Sequence, residues 1–211
     1  MTYALLALAY LIGATPTSYL IGKAFHGIDL REHGSGNLGA TNAFRILGAK
    51  SAVPVVVVDI AKGFVPTWLF APLAGGGFGW TLAFGAAAIL GHMFSVWVGF
   101  KGGKGMATSA GVFLGLAPWA VLGSLLLWVG LTFSTGYVSV GSIAAAVAMP
   151  VLVWLTPHSG GDALLWFAVA LAAVVVWAHR ANLRRLAKGE ENRFGRRGRS
   201  PEAPPSGDGA S

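Results

Sequence analysis

The sequence predicts an all-α, polytopic membrane protein of about seven transmembrane helices, amino end outside and carboxyl end inside. Mean hydropathy is +0.65. Apolar residues make up 55% of the 211 positions and gather into runs that reach the roughly 20 residues needed for one helical crossing. Charged residues are only 11% of the chain, and the basic ones lie between or after those runs. Lys23, Arg31, Arg45 and Lys50 form one zone, Lys101 and Lys104 a second, and everything basic from Arg180 onward a third; Lys62 alone falls outside them. The connections at 74–79 (AGGGFG) and 157–162 (PHSGGD) carry no Lys or Arg. Positive charge favours the cytoplasmic side, so the basic zones face in and the bare turns face out.

The same placement accounts for the net charge of +7: the cations border membrane runs, and no nucleic-acid partner is implied. The chain has no cysteine, which excludes a disulfide framework, a thiolate metal site and a thiol nucleophile. The amino terminus lacks a basic flank and a small-residue cleavage pattern, so it reads as a retained span.

In chain order, the first span covers about residues 4–21 and enters from outside, the second about 52–73 and the third about 80–98. The last, about 163–177, must end inside, because His179 and Arg180 open the basic tail. Residues 106–156 must then cross an odd number of times. At about 1.5 Å per residue they are too long for one crossing of roughly 30 Å, so about three short ones are expected. Breaks at Ala117-Pro118 and at 134–141 supply the turns. In the first span, Pro16 among Gly13, Thr15, Thr17 and Ser18 predicts a kink whose freed backbone groups are met by hydroxyls. Asp59 and Lys62 in the second span stand at i and i+3, which predicts a structural ion pair facing other helices. Gly111 and Gly115 have the spacing of close helix packing. Residues 1–194 read as one integral membrane domain. Residues 195–211, biased to Arg, Pro, Gly and Ser, read as a disordered tail.

Chemistry concentrates in the loops. GSGNLGATN at 34–42 matches the spacing of a dinucleotide fingerprint, yet it follows a membrane helix rather than a strand, so that reading fails. As an anion cradle the block makes sense: glycines such as Gly36 let backbone N–H groups converge on an oxyanion, Ser35, Asn37, Thr41 and Asn42 add donors, and Arg45 adds a bidentate cation. GFKGGKGMAT at 99–108 fails the Walker A pattern, since Gly105 follows Lys104. It still combines Lys101 and Lys104 with Gly102, Gly103, Gly105 and the start of a helix, again a setting for phosphate. The break at 134–142 returns Ser142 to the basic side. The tail HRANLRRLAKGEENRF at 179–194 reads at its simplest as a juxtamembrane basic helix drawn to anionic lipid.

GSGNLGATNAFR, GHMFSVWVGFKGGKGMAT and HRANLRRLAKGEE, in this order and separated by spans, resemble the three signatures of the bacterial acyl-phosphate glycerol-3-phosphate acyltransferase family. PTSYLIGK at 16–23 and the Asp59, Lys62, Gly63 pattern extend the likeness over nearly the whole chain to Phe194. The resemblance implies transfer of a fatty acyl group from acyl-phosphate to the sn-1 hydroxyl of glycerol 3-phosphate, giving lysophosphatidate and phosphate in the first step of phospholipid synthesis. It implies no cofactor and no metal, membrane lipid as surroundings, and the bacterial inner membrane as location with the site facing the cytoplasm. It further implies that Lys104, Arg45, Ser142, His179 and Asn182 hold glycerol 3-phosphate. Ser35, Asn37, Thr41, Asn42 and the loop glycines would cradle the acyl-phosphate, and Glu191 would anchor the tail on a loop cation. The attacking hydroxyl's proton would go to a substrate phosphate oxygen or to His179. No H-x-x-x-x-D element is present, since the positions five after the histidines are Arg31, Leu38, Trp97, Ala163 and Arg184. The rival reading is a transporter of a phosphorylated metabolite. Against it, polar groups cluster on one side rather than at the midplane, and no internal repeat is seen.

Overall fold

The structure, a computed structural model, describes residues 1–194; the tail expected to be disordered, 195–211, lies outside them. All regular structure among the described residues is helical: α1 (Thr2–Ala14), α2 (Thr17–His26), α3 (Ala40–Leu47), α4 (Ala49–Leu73), α5 (Phe78–Met93), a 3-10 turn (Val96–Val98), α6 (Met106–Leu116), α7 (Pro118–Thr135), α8 (Val138–Leu155), α9 (Gly161–Ala178) and α10 (Arg180–Ala187).

By length and composition, five helical segments can each cross a membrane: α4, α5 with its 3-10 extension, α7, α8 and α9. The expected count of seven is higher, for two physical reasons. The first span is broken into α1 and α2, which meet at 43° and make a sixth crossing only if taken together. The other is α6, whose 11 residues reach only about 16 Å, well short of a bilayer. The breaks themselves fall where expected, at Ala117-Pro118 and around Gly136.

The break at Pro16 has a cause and an unexpected remedy. Proline has no N–H to give the Ile12 carbonyl and its ring crowds that turn; the Thr15 N–H bonds Ile12 O instead. The Thr15 carbonyl, which accepts the Thr17 N–H at 3.0 Å, is also met by Lys62 Nζ of α4 at 3.0 Å, not by a hydroxyl as expected. Lys62 also pairs with Asp59 at 2.7 Å, and Asp59 accepts the Thr17 hydroxyl at 3.1 Å. The predicted ion pair is therefore present, buried and tied to the hinge between α1 and α2.

Small residues set the helix spacing. A Cβ at Gly111 would overlap the Ile60 carbonyl of α4, and one at Gly63 the Thr108 carbonyl of α6. Gly115 makes only ordinary contact with the Phe64 ring, so Gly111 carries the close approach of α6 to α4. One apolar cluster, built on Phe113, Ala117, Ala120, Val153, Leu164 and Ala168, fills the end of the bundle formed by α6 to α9. A second, Leu30, Leu38, Ala43, Ala52, Val55 and Val98, anchors the loop before α3.

Candidate active site

Three segments converge at the end of the bundle opposite the α6 to α9 plug. The first, residues 27–39, is folded on itself by its own side chains. Asp29 pairs with Arg31 at 2.7 Å, and that guanidinium holds the Asp29 carboxyl down at about 2. Asn42, buried at the start of α3, donates to the Leu30 and His33 carbonyls and accepts the Ser35 N–H at 2.9 Å. Every polar atom of its amide is thus spent on the loop. Asn42 shapes the first segment rather than offering a donor to a ligand, which corrects the sequence expectation. Gly36 also points away: its N–H bonds the His33 carbonyl and it does not line the cavity described below.

The second segment, residues 99–105, departs similarly from the expected cradle. The Gly102 and Gly103 N–H groups are bonded to the Met93 and His92 carbonyls at 3.1 and 3.0 Å, so neither can donate to phosphate. Their smallness is what the fold uses. A Cβ at Gly102 would strike the His92 carbonyl, and one at Gly103 the His92 ring. Phe100 adopts a left-handed φ of 62°, a strained conformation for a bulky residue that costs about 1–3 kcal/mol. Gly105, at φ 83°, caps α6. Lys101 is exposed and stays outside the cavity, whereas Lys104 enters it.

The third segment is the tail, which does not lie out on lipid. The Phe194 N–H bonds the Gly136 carbonyl at 2.7 Å and its ring stacks on Phe44, so residues 179–194 fold back over the turn between α7 and α8. Glu191 fixes this arrangement. Its carboxylate accepts from Ser139 of α8 at 3.0 Å, from Asn182 Nδ2 at 2.6 Å and from Arg185 Nε at 2.7 Å. The cation partner is therefore Arg185 of α10, not a loop lysine. Asn182 uses its other end, Oδ1, to accept from Lys104 Nζ.

These segments roof a cavity of about 400 Å³. Ser35, Asn37, Thr41, Arg45, Lys104, Gly105, His179, Glu191, Ser139 and Ser142 line its polar mouth; Val56, Ile60, Phe113, Val121, Leu125, Met149, Leu171 and Val175 line its apolar shaft. Arg45 is half-buried, and burial pulls its guanidinium down; among the described residues it makes no hydrogen bond. Burial also lowers the Lys104 ammonium to about 8, with Arg185 and Arg45 adding repulsion. His179 bonds the Val175 carbonyl through Nδ1 at 2.8 Å, which puts the proton on Nδ1 and leaves Nε2 a lone pair. Burial, then Lys104, lowers His179 to about 4, so it is neutral near pH 7. Ser142 accepts a bond from Trp128 Nε1 at 3.1 Å.

The sequence-predicted Lys104, Arg45, His179, Ser142, Ser35, Asn37 and Thr41 thus meet in one cavity, while Asn182 stands behind Lys104 without lining it. Sequence reasoning missed Arg185, Ser139 and Trp128. Only Arg185 left a signal, as one of the cations of the basic helix that precedes Glu190 and Glu191.

A two-ended cavity of this kind, cationic and polar at the bundle end and apolar within, can hold a phosphorylated headgroup and an aliphatic chain together. The family model for glycerol-3-phosphate acyltransferase matches residues 3–189. Proteins of that name from Geobacter sulfurreducens and Trichlorobacter lovleyi are 45% and 46% identical over 190 and 194 residues. The matches cover 90% and 88% of this chain and 96% and 94% of theirs. Among solved structures, the crystal structure of PlsY (YgiH), an integral membrane glycerol 3-phosphate acyltransferase, in its glycerol 3-phosphate form superposes with TM-score 0.85 at 38% identity. It covers 92% of this chain and 96% of that one. The lysophosphatidic acid form gives TM-score 0.83 at 36% identity, covering 92% and 95%. Sequence, cavity and backbone agree, and the chain belongs to the glycerol-3-phosphate acyltransferase family.

Proposed function

We propose that this chain moves a fatty acyl group from acyl-phosphate to the sn-1 hydroxyl of glycerol 3-phosphate, releasing lysophosphatidate and phosphate. The observation that carries the reading is the single cavity whose cationic mouth, Lys104 and Arg45, continues into an apolar shaft. A headgroup with phosphate and a chain with none of its polarity fit its two ends. PlsY, the structural relative, has glycerol 3-phosphate and lysophosphatidic acid forms, which agree with this pair of ends. The apolar plug beneath the shaft favours an enzyme over a transporter, because a phosphorylated solute crossing the bilayer would have to pass it.

In this reaction the sn-1 oxygen attacks the acyl carbon, the bond from that carbon to the phosphate oxygen breaks, and phosphate leaves. No covalent enzyme intermediate is required, because the mixed anhydride is already activated. Catalysis then rests on positioning and on fixed positive charge in a water-poor site. Lys104, Arg45 and the Ser142 hydroxyl hold the glycerol 3-phosphate, Asn182 orients Lys104, and Ser35, Asn37 and Thr41 face the acyl-phosphate. The hydroxyl proton passes to a phosphate oxygen of the substrate. His179, neutral and with its proton on Nδ1, serves as a hydrogen-bond acceptor through Nε2.

The same reading puts the polar mouth at the cytoplasmic face of the bacterial inner membrane, with about seven membrane segments, of which α1 and α2 form one bent span and α6 is one too short to cross as a helix alone. Exposed Trp97 and Trp177 lie near the mouth, and Trp68, Trp119, Trp154 and Trp166 near the opposite helix ends, an arrangement suited to two interfacial belts. The test gives purified protein glycerol 3-phosphate with acyl-phosphate, acyl-CoA or acyl-carrier protein in turn. Lysophosphatidate is expected from acyl-phosphate only. Product from another donor refutes the donor assignment, and uptake into vesicles without product refutes the enzyme.

A further inference from the structure

The shaft of the cavity has a closed end. Phe113, Val121, Met149 and Ala168 line it and belong at the same time to the apolar plug that fills the far end of α6 to α9. Phe113 and Ala168 are each 1% exposed and close the floor where they stand, while Val121 and Met149 are partly buried and Leu125 on the α7 wall is 52% exposed. Along α8 the lining runs from Ser139 to Met149, and along α9 from His179 to Ala168, about 15 and 16 Å at the helical rise. That depth is about half of a roughly 30 Å hydrocarbon core, the thickness of one leaflet. Between mouth and floor the walls are cut back by small residues, Ala145, Ala146 and Ala172, which leave the shaft open.

We propose that this floor measures the acyl chain: Phe113, Val121, Met149 and Ala168 set the length the enzyme accepts, and the alanine walls keep the path to them clear. The inference rests on the acyl transfer proposed above and adds the residues that determine specificity. The physical reason is that each methylene moved from water into an apolar shaft improves binding by about fourfold, and the gain stops when the chain meets packed side chains. Protein interiors packed at crystal density do not yield to another methylene without displacement. Lys104 and Arg45 pin the phosphorylated end at the mouth, so the chain cannot slide outward to make room.

The test measures kcat/KM for a series from octanoyl to octadecanoyl phosphate in the wild type and in two variants with opposite effects. Ala172 lies seven residues from His179 along α9, about 10 Å down, and Ala172→Phe raises the floor to that depth. Met149→Ala lowers it. The wild type is expected to gain with length and then break sharply. Ala172→Phe lowers the hexadecanoyl-to-octanoyl ratio at least tenfold, and Met149→Ala moves the break to longer chains. A ratio within one preparation is unaffected by the fraction of folded protein. Unshifted profiles in both variants, or a wild-type profile without a break, overturn the floor. If acyl-CoA or acyl-carrier protein proves to be the donor, the same series on that donor tests the floor, so the donor assignment and the length measurement fail separately.

Discussion

Replacing Lys62 by methionine should destabilise the protein sharply, and a second change, Asp59→Asn, should restore most of the loss. Lys62 Nζ makes two contacts, Asp59 at 2.7 Å and the Thr15 carbonyl at 3.0 Å. Without it the buried Asp59 carboxylate keeps only the Thr17 hydroxyl at 3.1 Å and the more distant His92 ring at 3.8 Å. Breaking a buried pair by removing one partner costs about 3–5 kcal/mol, because the remaining charge is uncompensated. In a chain of this size that corresponds to a fall in Tm of about 6–20 °C. Asn at position 59 has the carboxylate's shape and can still accept from Thr17, but carries no charge. The double variant should therefore retain only the loss of one of the two donors to the Thr15 carbonyl, which keeps the Thr17 N–H at 3.0 Å, a cost of about 0.5–1.5 kcal/mol. The assay is thermal unfolding in one detergent, with acyltransferase activity measured per folded protein. A Lys62→Met variant that melts no lower than the double variant refutes the argument. A stable double variant with no activity refutes the structural role of the pair and assigns it to the reaction.

Four further outcomes concern the site and the loop that carries Lys104. Lys104→Ala should abolish turnover with an unchanged melting profile, while Lys104→Arg retains measurable activity. Because Lys104 is lowered to about 8, it is a cation below that pH and neutral above it. The KM for glycerol 3-phosphate should therefore rise as pH passes through about 8, and the Arg variant should lose that rise. His179→Gln should lower kcat by no more than about tenfold if a substrate phosphate takes the proton, since a full general base contributes about 10²–10⁴. A loss of several orders of magnitude would return His179 to the role of base. Gly103→Ala should cost both stability and activity, because its Cβ would displace the His92 ring; an Ala variant with wild-type melting contradicts the packing account.

The helices and their breaks were legible because hydropathy and proline act locally, and Pro16, Pro118 and Gly136 each end or bend a helix where the sequence indicated. The number of crossings was less legible, because parity treats every apolar run alike while α6 is too short to cross by itself. Whereas His179 entered only through the family resemblance, Lys104 and Arg45 could be read as partners from charge in glycine-rich loops. The role of each glycine could not, since the same residue serves either to expose an N–H or to remove a Cβ, and at Gly102 and Gly103 it is the second. Asn42 was misread for a related reason: a side chain rich in donors looks the same in sequence whether it faces a ligand or its own loop. Ser139 and Trp128 carried no local signal at all. A serine and a tryptophan in apolar helices are ordinary, and only the fold brings them beside Glu191 and Ser142.

The route from Lys104 to Ser139 shows what an amide at position 182 can do between a cation and a carboxylate. Asn182 presents its carbonyl oxygen to the Lys104 ammonium and its NH₂ to the Glu191 carboxylate. Its acceptor at one corner and donors at the other let it sit between a cation and an anion with both satisfied. Glu191 in turn joins Arg185 of α10 to Ser139 of α8. The cation at the mouth is therefore positioned through α10 and the end of the tail, not by its own loop, whose backbone bonds go to Met93 and His92. The glycine loop supplies the lysine, and the tail supplies its direction. A charge oriented in advance costs no reorganisation when negative charge develops beside it, which is the property a site working by electrostatics and position most needs.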